Sequence, residues 1–241
     1  MHRGPGVQLR RGPVGVNPLL SVVVPALNEQ ACIASTLEPL QALRAAGHQL
    51  VVVDGGSTDA TTARARPLAD RVIESPPGRA RQMNRGAAVC DGTILWFLHA
   101  DTRVPPAAGD AILAALVDPG RCWGRFDIRL SGTAPVLRLV AALMNLRSRL
   151  SGIATGDQGI FVRREVFEAV GGYPDIPLME DIALSRRLRS LARPACIGPR
   201  LVTSSRRWER DGIARTVVLM WRLRLAYALG TDPRVLARAY R

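Results

Sequence analysis

Short apolar runs, polar turns and helix-spaced apolar residues follow one another through the first hundred positions. The run LLSVVVPALNE is β-branched up to Pro25, which reads as a buried strand ending in a turn. Asn28 stands where it would cap a helix whose apolar residues Ile33, Leu37, Leu40 and Leu43 recur at three- and four-residue steps, and Gly47 would stop that helix. The arrangement returns in QLVVVDGGSTDATTARA: a strand over Leu50–Val53, a polar turn, then a helix capped by Ser57 or Thr58. RVIES reads as a third short strand, GRARQMNRGAAVC as a helix and TILWFLHAD as a fourth strand. Such alternation predicts an α/β domain with parallel strands, right-handed crossovers and helices on both faces. Ligands of these sheets bind beyond the carboxyl ends of the strands. The polar clusters Asn28/Glu29, Asp54–Asp59 and His99/Asp101 all fall at such ends.

The second half is less regular. RCWGRFDIRLSG reads as a strand, VLRLVAALMNLRSRLSG as a helix, and GDQGIFVRREVFEAVGG as a loop, a short strand and a helix; MEDIALSRRLRSLA opens with two acids and continues as an amphipathic helix. A chain of 241 residues suits one sizeable domain. The net charge of +13 changes the picture, because all 33 basic residues are arginine. Such a surface attracts phosphates, acidic substrates or anionic headgroups, and the lack of lysine removes Schiff-base catalysis. Cys32, Cys90, Cys122 and Cys196 are far apart with no C-x-x-C pair, which argues against a zinc knuckle or redox motif and suits reduced thiols in the cytoplasm. The opening MHRGPGVQLRRGPVGVNP has no apolar core of the secretory kind and reads as a flexible basic arm over residues 1–18. Arg138, Arg222 and Arg224 interrupt the most apolar windows, so no membrane span is expected. The segment TVVLMWRLRLAYALG mixes Trp221, Leu223, Leu225 and Tyr227 with arginines; it suits packing on its own domain, a homodimer seam, or peripheral contact with anionic lipid at the inner face of the membrane.

Three places carry candidate chemistry. His99 and Asp101 are two residues apart, so on extended chain both side chains face one ligand. An imidazole and a carboxylate can share Mn²⁺, whereas Mg²⁺ would lean on Asp101 and phosphate oxygens. The pair reads equally as a loop cap and a satisfied half-buried histidine. Asp54 ends a buried strand ahead of two glycines and can accept hydrogen bonds from a ribose or base; an Asx-turn is the competing reading. Glu180 and Asp181 open a helix, either as acids complementing its dipole or as a tuned general base. G-x-x-x-x-G-K-[ST] and a G-x-G-x-x-G after a strand are both absent.

Taken together, SVVVPALNE, VVVDGGSTDAT, GRARQMNRGA, FLHADT, GDQGIFVRR and MEDIALSRRLR occur in the order of family 2 glycosyltransferases with the GT-A fold. The chain most resembles the small bacterial enzymes of arsenosugar-biosynthesis (selenodomain-associated) type, from Leu19 to Arg241. The resemblance implies a mostly parallel, Rossmann-like sheet, a glycosyltransferase domain over 19–205 and a basic helical extension over 206–241. It implies that Pro25, Asn28, Glu29, Asp54, Gly55, Arg79, Gln82, Asn84 and Ala100 face the nucleotide sugar. His99 and Asp101 take the D-x-D metal position, with histidine replacing the first acid, which leaves Mg²⁺ or Mn²⁺ open. Asp157, Gln158, Arg207 and Trp208 would lie near sugar and acceptor, and Asp181, with Glu180 beside it, matches the catalytic base. Ser204 replaces the glutamine of the Q-x-x-R-W motif of polymerising relatives, which argues against a processive synthase. The implied reaction is inverting transfer from a nucleotide-diphosphate sugar, UDP-linked, to a small-molecule acceptor, or alternatively to a lipid-linked one. A sugar-phosphate nucleotidyltransferase would need a lysine-containing Gly-rich loop that VPALNEQ does not offer. A non-catalytic module for nucleic acid or lipid headgroups suits the charge but not an aromatic content of 5%; no nucleic-acid partner is expected.

Overall fold

The computed structural model describes residues 19–240; the basic arm expected over residues 1–18 lies outside them. The elements run β1 (Leu20–Ala26), α1 (Ile33–Leu37), α2 (Gln41–Ala45), β2 (Gln49–Asp54), α3 (Thr61–Ala65), β3 (Arg71–Glu74), α4 (Arg79–Val89), β4 (Ile94–Phe97), β5 (Thr102–Arg103), α5 (Ala108–Ala115) and β6 (Trp123–Leu130). They continue with α6 (Pro135–Ser151), β7 (Phe161–Arg163), α7 (Arg164–Ala169), α8 (Glu180–Leu191), β8 (Ala195–Thr203), α9 (Arg206–Asp211), α10 (Ile213–Ala228) and α11 (Pro233–Tyr240). One sheet has the order β3-β2-β1-β4-β7-β6-β8-β5.

β1 is buried along its whole length because both neighbours pair with it and both faces are covered. Its residues alternate between two cores. Val22 and Val24 join Val52 and Trp96 on one face, while Val23 joins Val51, Val53 and Phe97 on the other. β1, β2, β3 and β4 are mutually parallel, as the sequence predicts. The chain winds outward from β1 to β3 and then returns to the opposite side of β1, so the loops after β1, β2 and β4 meet at one crevice. Gly86 lets α4 press on this sheet: a Cβ there would overlap Val23 and stand 2.9 Å from Val53.

Four of the seven strand pairings are parallel, β6 with β8 among them, so the expected mostly parallel sheet is present but mixed. β7 pairs antiparallel with both β4 and β6, and β5 pairs antiparallel with β8. A parallel strand needs a crossover that returns the chain to the starting edge. Here the chain passes from α6 through a 3₁₀ turn, Gly156–Gln158, and enters β7 from the carboxyl edge of β4, where the Phe97 amide donates to the Ile160 carbonyl at 2.8 Å. That reversal delivers Asp157 to the ligand edge.

Other local differences have plain causes. The helix expected from Ile33 to Leu43 is split into α1, a 3₁₀ turn containing Pro39, and α2, since proline cannot donate its missing N–H. Asn28 caps no helix; it takes a left-handed φ of 54° and accepts from the Thr58 amide at 2.9 Å, joining the first two strand-end loops. The helix after β2 has no cap from Ser57 or Thr58; Asp59 accepts from the Thr61 amide at 2.9 Å instead. Among the described residues no helix is long and apolar enough to cross a membrane.

Candidate active site at the strand tips

Asp54 ends β2 with a carboxylate only 3% exposed. Its Oδ2 accepts from the Gly56 and Ser57 amides at 3.0 and 2.8 Å, while its buried Oδ1 has no partner. The Asx-turn thus uses one oxygen and leaves the other without a donor. The Gly55 amide bonds the Ala26 carbonyl at 2.9 Å, and Asn28 and Ser57 bond across the same gap. Pro25 is buried within β1 and offers no open surface. Gln82, expected to face the nucleotide, instead donates its amide to the Ala26 and Val53 carbonyls, both at 2.9 Å, clamping the tips of β1 and β2. Asn84 is likewise spent, exchanging hydrogen bonds of 2.8 and 3.0 Å with the Tyr173 backbone.

His99 and Asp101 sit just beyond β4, in a turn rather than on extended chain. Ala100 between them is buried, its carbonyl accepting from Thr36 Oγ1 at 2.7 Å. Asp101 is half-buried, and a cation already stands at its Oδ2: Arg206 Nη2 lies 3.5 Å away while bonding Glu29 Oε2 at 2.9 Å. Arg206 therefore ties the loop after β1 to the loop after β4. Its guanidinium is held above its ordinary pKa by the Glu29 hydrogen bond, against the cost of burial. The His99 ring packs against the Gly156 backbone. Burial holds that imidazole below its ordinary pKa and Arg79 adds to the effect, against Asp101, Asp157 and Asp181, so it is neutral at pH 7.

Across from this tip, α8 begins with Glu180 and Asp181. Met179 ahead of them has φ 68°, a left-handed conformation costing a non-glycine residue about 1–3 kcal/mol where it is held at a site. Asp181 Oδ2 accepts from the Gly156 amide at 2.8 Å and Oδ1 from the Ile182 amide at 2.7 Å. Each oxygen keeps a second lone pair for another donor. Glu180 is buried, with Oε1 at 3.0 Å from Arg79 Nε and Oε2 unpartnered. Burial raises its pKa; Arg79 opposes and Asp181 reinforces the rise. Arg79, cost by burial but favoured by Glu180 and Asp181, is held above its ordinary pKa. Asp157 is half-buried in the same neighbourhood, whereas Gln158 folds back so that its Oε1 accepts from the Thr155 amide at 3.1 Å.

Sequence reasoning missed three neighbours. Arg206 is the first. Arg147 of α6 is the second: burial and then Arg224 push its guanidinium down to about 10, Asp157 and Asp181 pull the other way, and its Nε and Nη2 lack partners. The buried Tyr173 phenol is the third, raised by burial and then by Asp181 and Glu180. Arg207 and Trp208 are both engaged by neighbouring side chains. The Arg207 guanidinium lies 3.6 Å over the Tyr240 ring and bonds the Tyr240 carbonyl, and Trp208 packs on Leu130, Leu137 and Val140. The phase of α9 places Arg206 at Glu29 and Asp101 and Arg207 at Tyr240 of α11. A separate groove of about 630 Å³, lined by Arg129, Ser131, Arg138 and Arg200 among others, contains none of these candidates.

Among the described residues, no three His, Cys, Asp or Glu side chains converge as a complete metal cage. Asp101 nevertheless fits a cation bound jointly with a phosphate ligand. Its carboxylate already engages a positive charge, and the neutral His99 ring is a nitrogen donor type accepted by Mn²⁺.

The model of the family described as Glycosyl transferase family 2 matches residues 21–171, more than half of the chain. The chain is 26% identical to the probable glycosyltransferase YdaM of Bacillus subtilis over 239 residues, covering 89% of this chain and 56% of that relative, so it spans about half the relative's length. Among solved structures it is similar to residues 1–349 of S. aureus TarS, with a TM-score of 0.64 and 17% identity, over 78% of this chain and 60% of that one. It is also similar to glucosyl-3-phosphoglycerate synthase of Mycobacterium tuberculosis in complex with Mn²⁺, UDP and glucosyl-3-phosphoglycerate, with a TM-score of 0.59 and 23% identity, over 81% and 77% of the two chains.

Proposed function

The chain belongs to glycosyltransferase family 2, and from that premise we propose that it transfers a sugar, with inversion, from a UDP-sugar to a small-molecule hydroxyl. The observation that carries the reading is the grouping of Asp101, Asp157, Asp181 and Arg79 around His99, beside a buried Asp54 with an unsatisfied oxygen. Asp54 Oδ1 accepts from the nucleoside of the donor. Asp181, aimed by two backbone amides, takes the proton of the acceptor hydroxyl as that oxygen bonds to the anomeric carbon. The bond from anomeric carbon to diphosphate oxygen breaks with its electron pair, and nucleoside diphosphate leaves. Arg206 and Arg79 offset the charge gathering there. Asp101, with His99, would hold a divalent cation that supplies further charge neutralisation to the diphosphate. Glu180 holds Arg79 in place. The UDP and Mn²⁺ of the mycobacterial synthase support the donor and cation; the resemblance to arsenosugar-type enzymes supports a small acceptor. We read 19–205 as the transferase domain and 206–241 as an extension that supplies Arg206.

Thermal shift with UDP-, GDP- and dTDP-sugars, each with Mg²⁺ or Mn²⁺, tests this, because donor binding stabilises the fold by mass action. UDP-sugar with cation should raise Tm, and Asp101→Ala should abolish both the cation's contribution and turnover. Full activity of Asp101→Ala would refute the site.

A further inference from the structure

The two faces of α6 are both apolar. Leu137, Val140 and Ala141 are buried, yet Val136, Leu139, Leu143, Leu146 and Leu150 are 45–70% exposed. The exposed residues recur at three- and four-residue steps and form one stripe about 21 Å long. α10 repeats the design: Val218, Trp221 and Leu225 at its outer face, and Leu229 just past its end, are 56–79% exposed. The helices are neighbours, since Ile213 and Val217 of α10 pack with Leu137 and Val140 of α6. Protein surfaces seldom leave a contiguous apolar stripe of this length bare.

The charge on these helices says what covers them. Each carries three arginines and no acid. Arg138, Arg215 and Arg222 are exposed and make no ion pair among the described residues. A second copy would bring the same positive charge, on a chain of net charge +13. The residues ahead of Leu19 offer Arg3, Arg10 and Arg11 and no acid either. An anionic bilayer complements both features at once: apolar side chains enter the acyl boundary while arginines stay at the phosphates, with a tryptophan at the polar level.

We propose that the outer faces of α6 and α10 dock the protein on an anionic membrane surface. The inner face of α10 packs Leu219, Met220 and Leu223 against Leu178, Met179 and Ile182, around the start of α8. Docking therefore puts Asp181 one helix away from the bilayer. The inference stands apart from the transferase reading, and its experiment keeps the two distinct. The 241-residue protein is floated at physiological salt with vesicles of phosphatidylcholine alone or mixed equally with phosphatidylglycerol. Flotation should occur with the mixed vesicles only. Leu143→Glu/Leu146→Glu and Trp221→Glu should each cut the bound fraction about tenfold or more, and Arg138→Glu/Arg222→Glu should do the same through charge. The UDP-induced thermal shift should persist in every variant. If an apolar-to-Glu variant fails to fold, the arginine variant reads the same interaction. No flotation of the parent protein overturns the proposal, as does flotation indifferent to these substitutions. A dimer that falls apart on Leu143→Glu/Leu146→Glu, without vesicle binding, reassigns the face to a seam between copies.

Discussion

Gly156→Ala adds one methyl group where the 3₁₀ turn passes the His99 ring. Its Cβ would stand 2.5 Å from Nε2 and 2.8 Å from Cε1. Ordinary non-bonded contact begins near 3.5 Å, so the imidazole must retreat by about 1 Å. Gly156 does not lie in the left-handed region, so alanine meets no backbone penalty there, and its amide still reaches Asp181. The defect is thereby confined to the tip carrying His99 and Asp101. A displacement of about 1 Å at a reacting centre costs on the order of 10²-fold in rate, or about 2.7 kcal/mol. Overpacking should also cost about 1–3 kcal/mol of stability. Nucleoside diphosphate released from UDP-sugar gives the rate, and urea denaturation gives the stability. In a His99→Ala background the clash has no partner, so the stability loss should largely vanish, a coupling that a double-mutant cycle measures. Wild-type turnover by Gly156→Ala, or the same stability loss in both backgrounds, would refute the reasoning.

Asp181→Asn should retain the UDP-dependent thermal shift while transfer falls about 10²- to 10⁴-fold; a normal transfer rate would mean the base lies elsewhere. Asp127→Asn should cost about 3 kcal/mol or more in urea denaturation, because Arg125, fully buried, loses its carboxylate partner. Burial works to raise the Asp127 pKa, but hydrogen bonds from Arg149 and Arg125 outweigh it and hold the carboxyl below its ordinary 3.8. Its contribution is therefore complete above pH 3.8 and lost as pH falls through the lowered value. The stability gap between parent and Asp127→Asn should close in that acid range and nowhere above it.

The strands that build the crevice were legible because each is a compact β-branched or aromatic run closed by a polar turn: LSVVVPA, QLVVVD and ILWF. β8 escaped notice because Gly198, Pro199 and Arg200 interrupt its apolar pattern. The reversal into β7 left no local mark, since pairing direction depends on where the intervening chain travels. At the site, acids at strand ends could be found by position, as Asp54 and Asp101 were. Amides could not: nothing in QMN distinguishes a glutamine facing a ligand from one clamping two carbonyls. In SSRRWER nothing local says which arginine meets which partner; the first turn of α9 sends Arg206 to Glu29 and Asp101 and Arg207 to Tyr240. The α6 stripe is written in the sequence as well, but the pattern of VLRLVAALMNLRSRLSG alone does not say which of its leucines a neighbour will bury.

Arg206 closes its ion pair with Glu29 across a sequence separation of 177 residues. During synthesis the parallel half of the sheet can form early, since domains mature from the N-terminal end. The rim of the crevice cannot, because its bridging guanidinium emerges from the ribosome only after every strand has been made. A nascent chain thus exposes two carboxylates, Glu29 and Asp101, until translation has passed β8 and supplied their counter-ion.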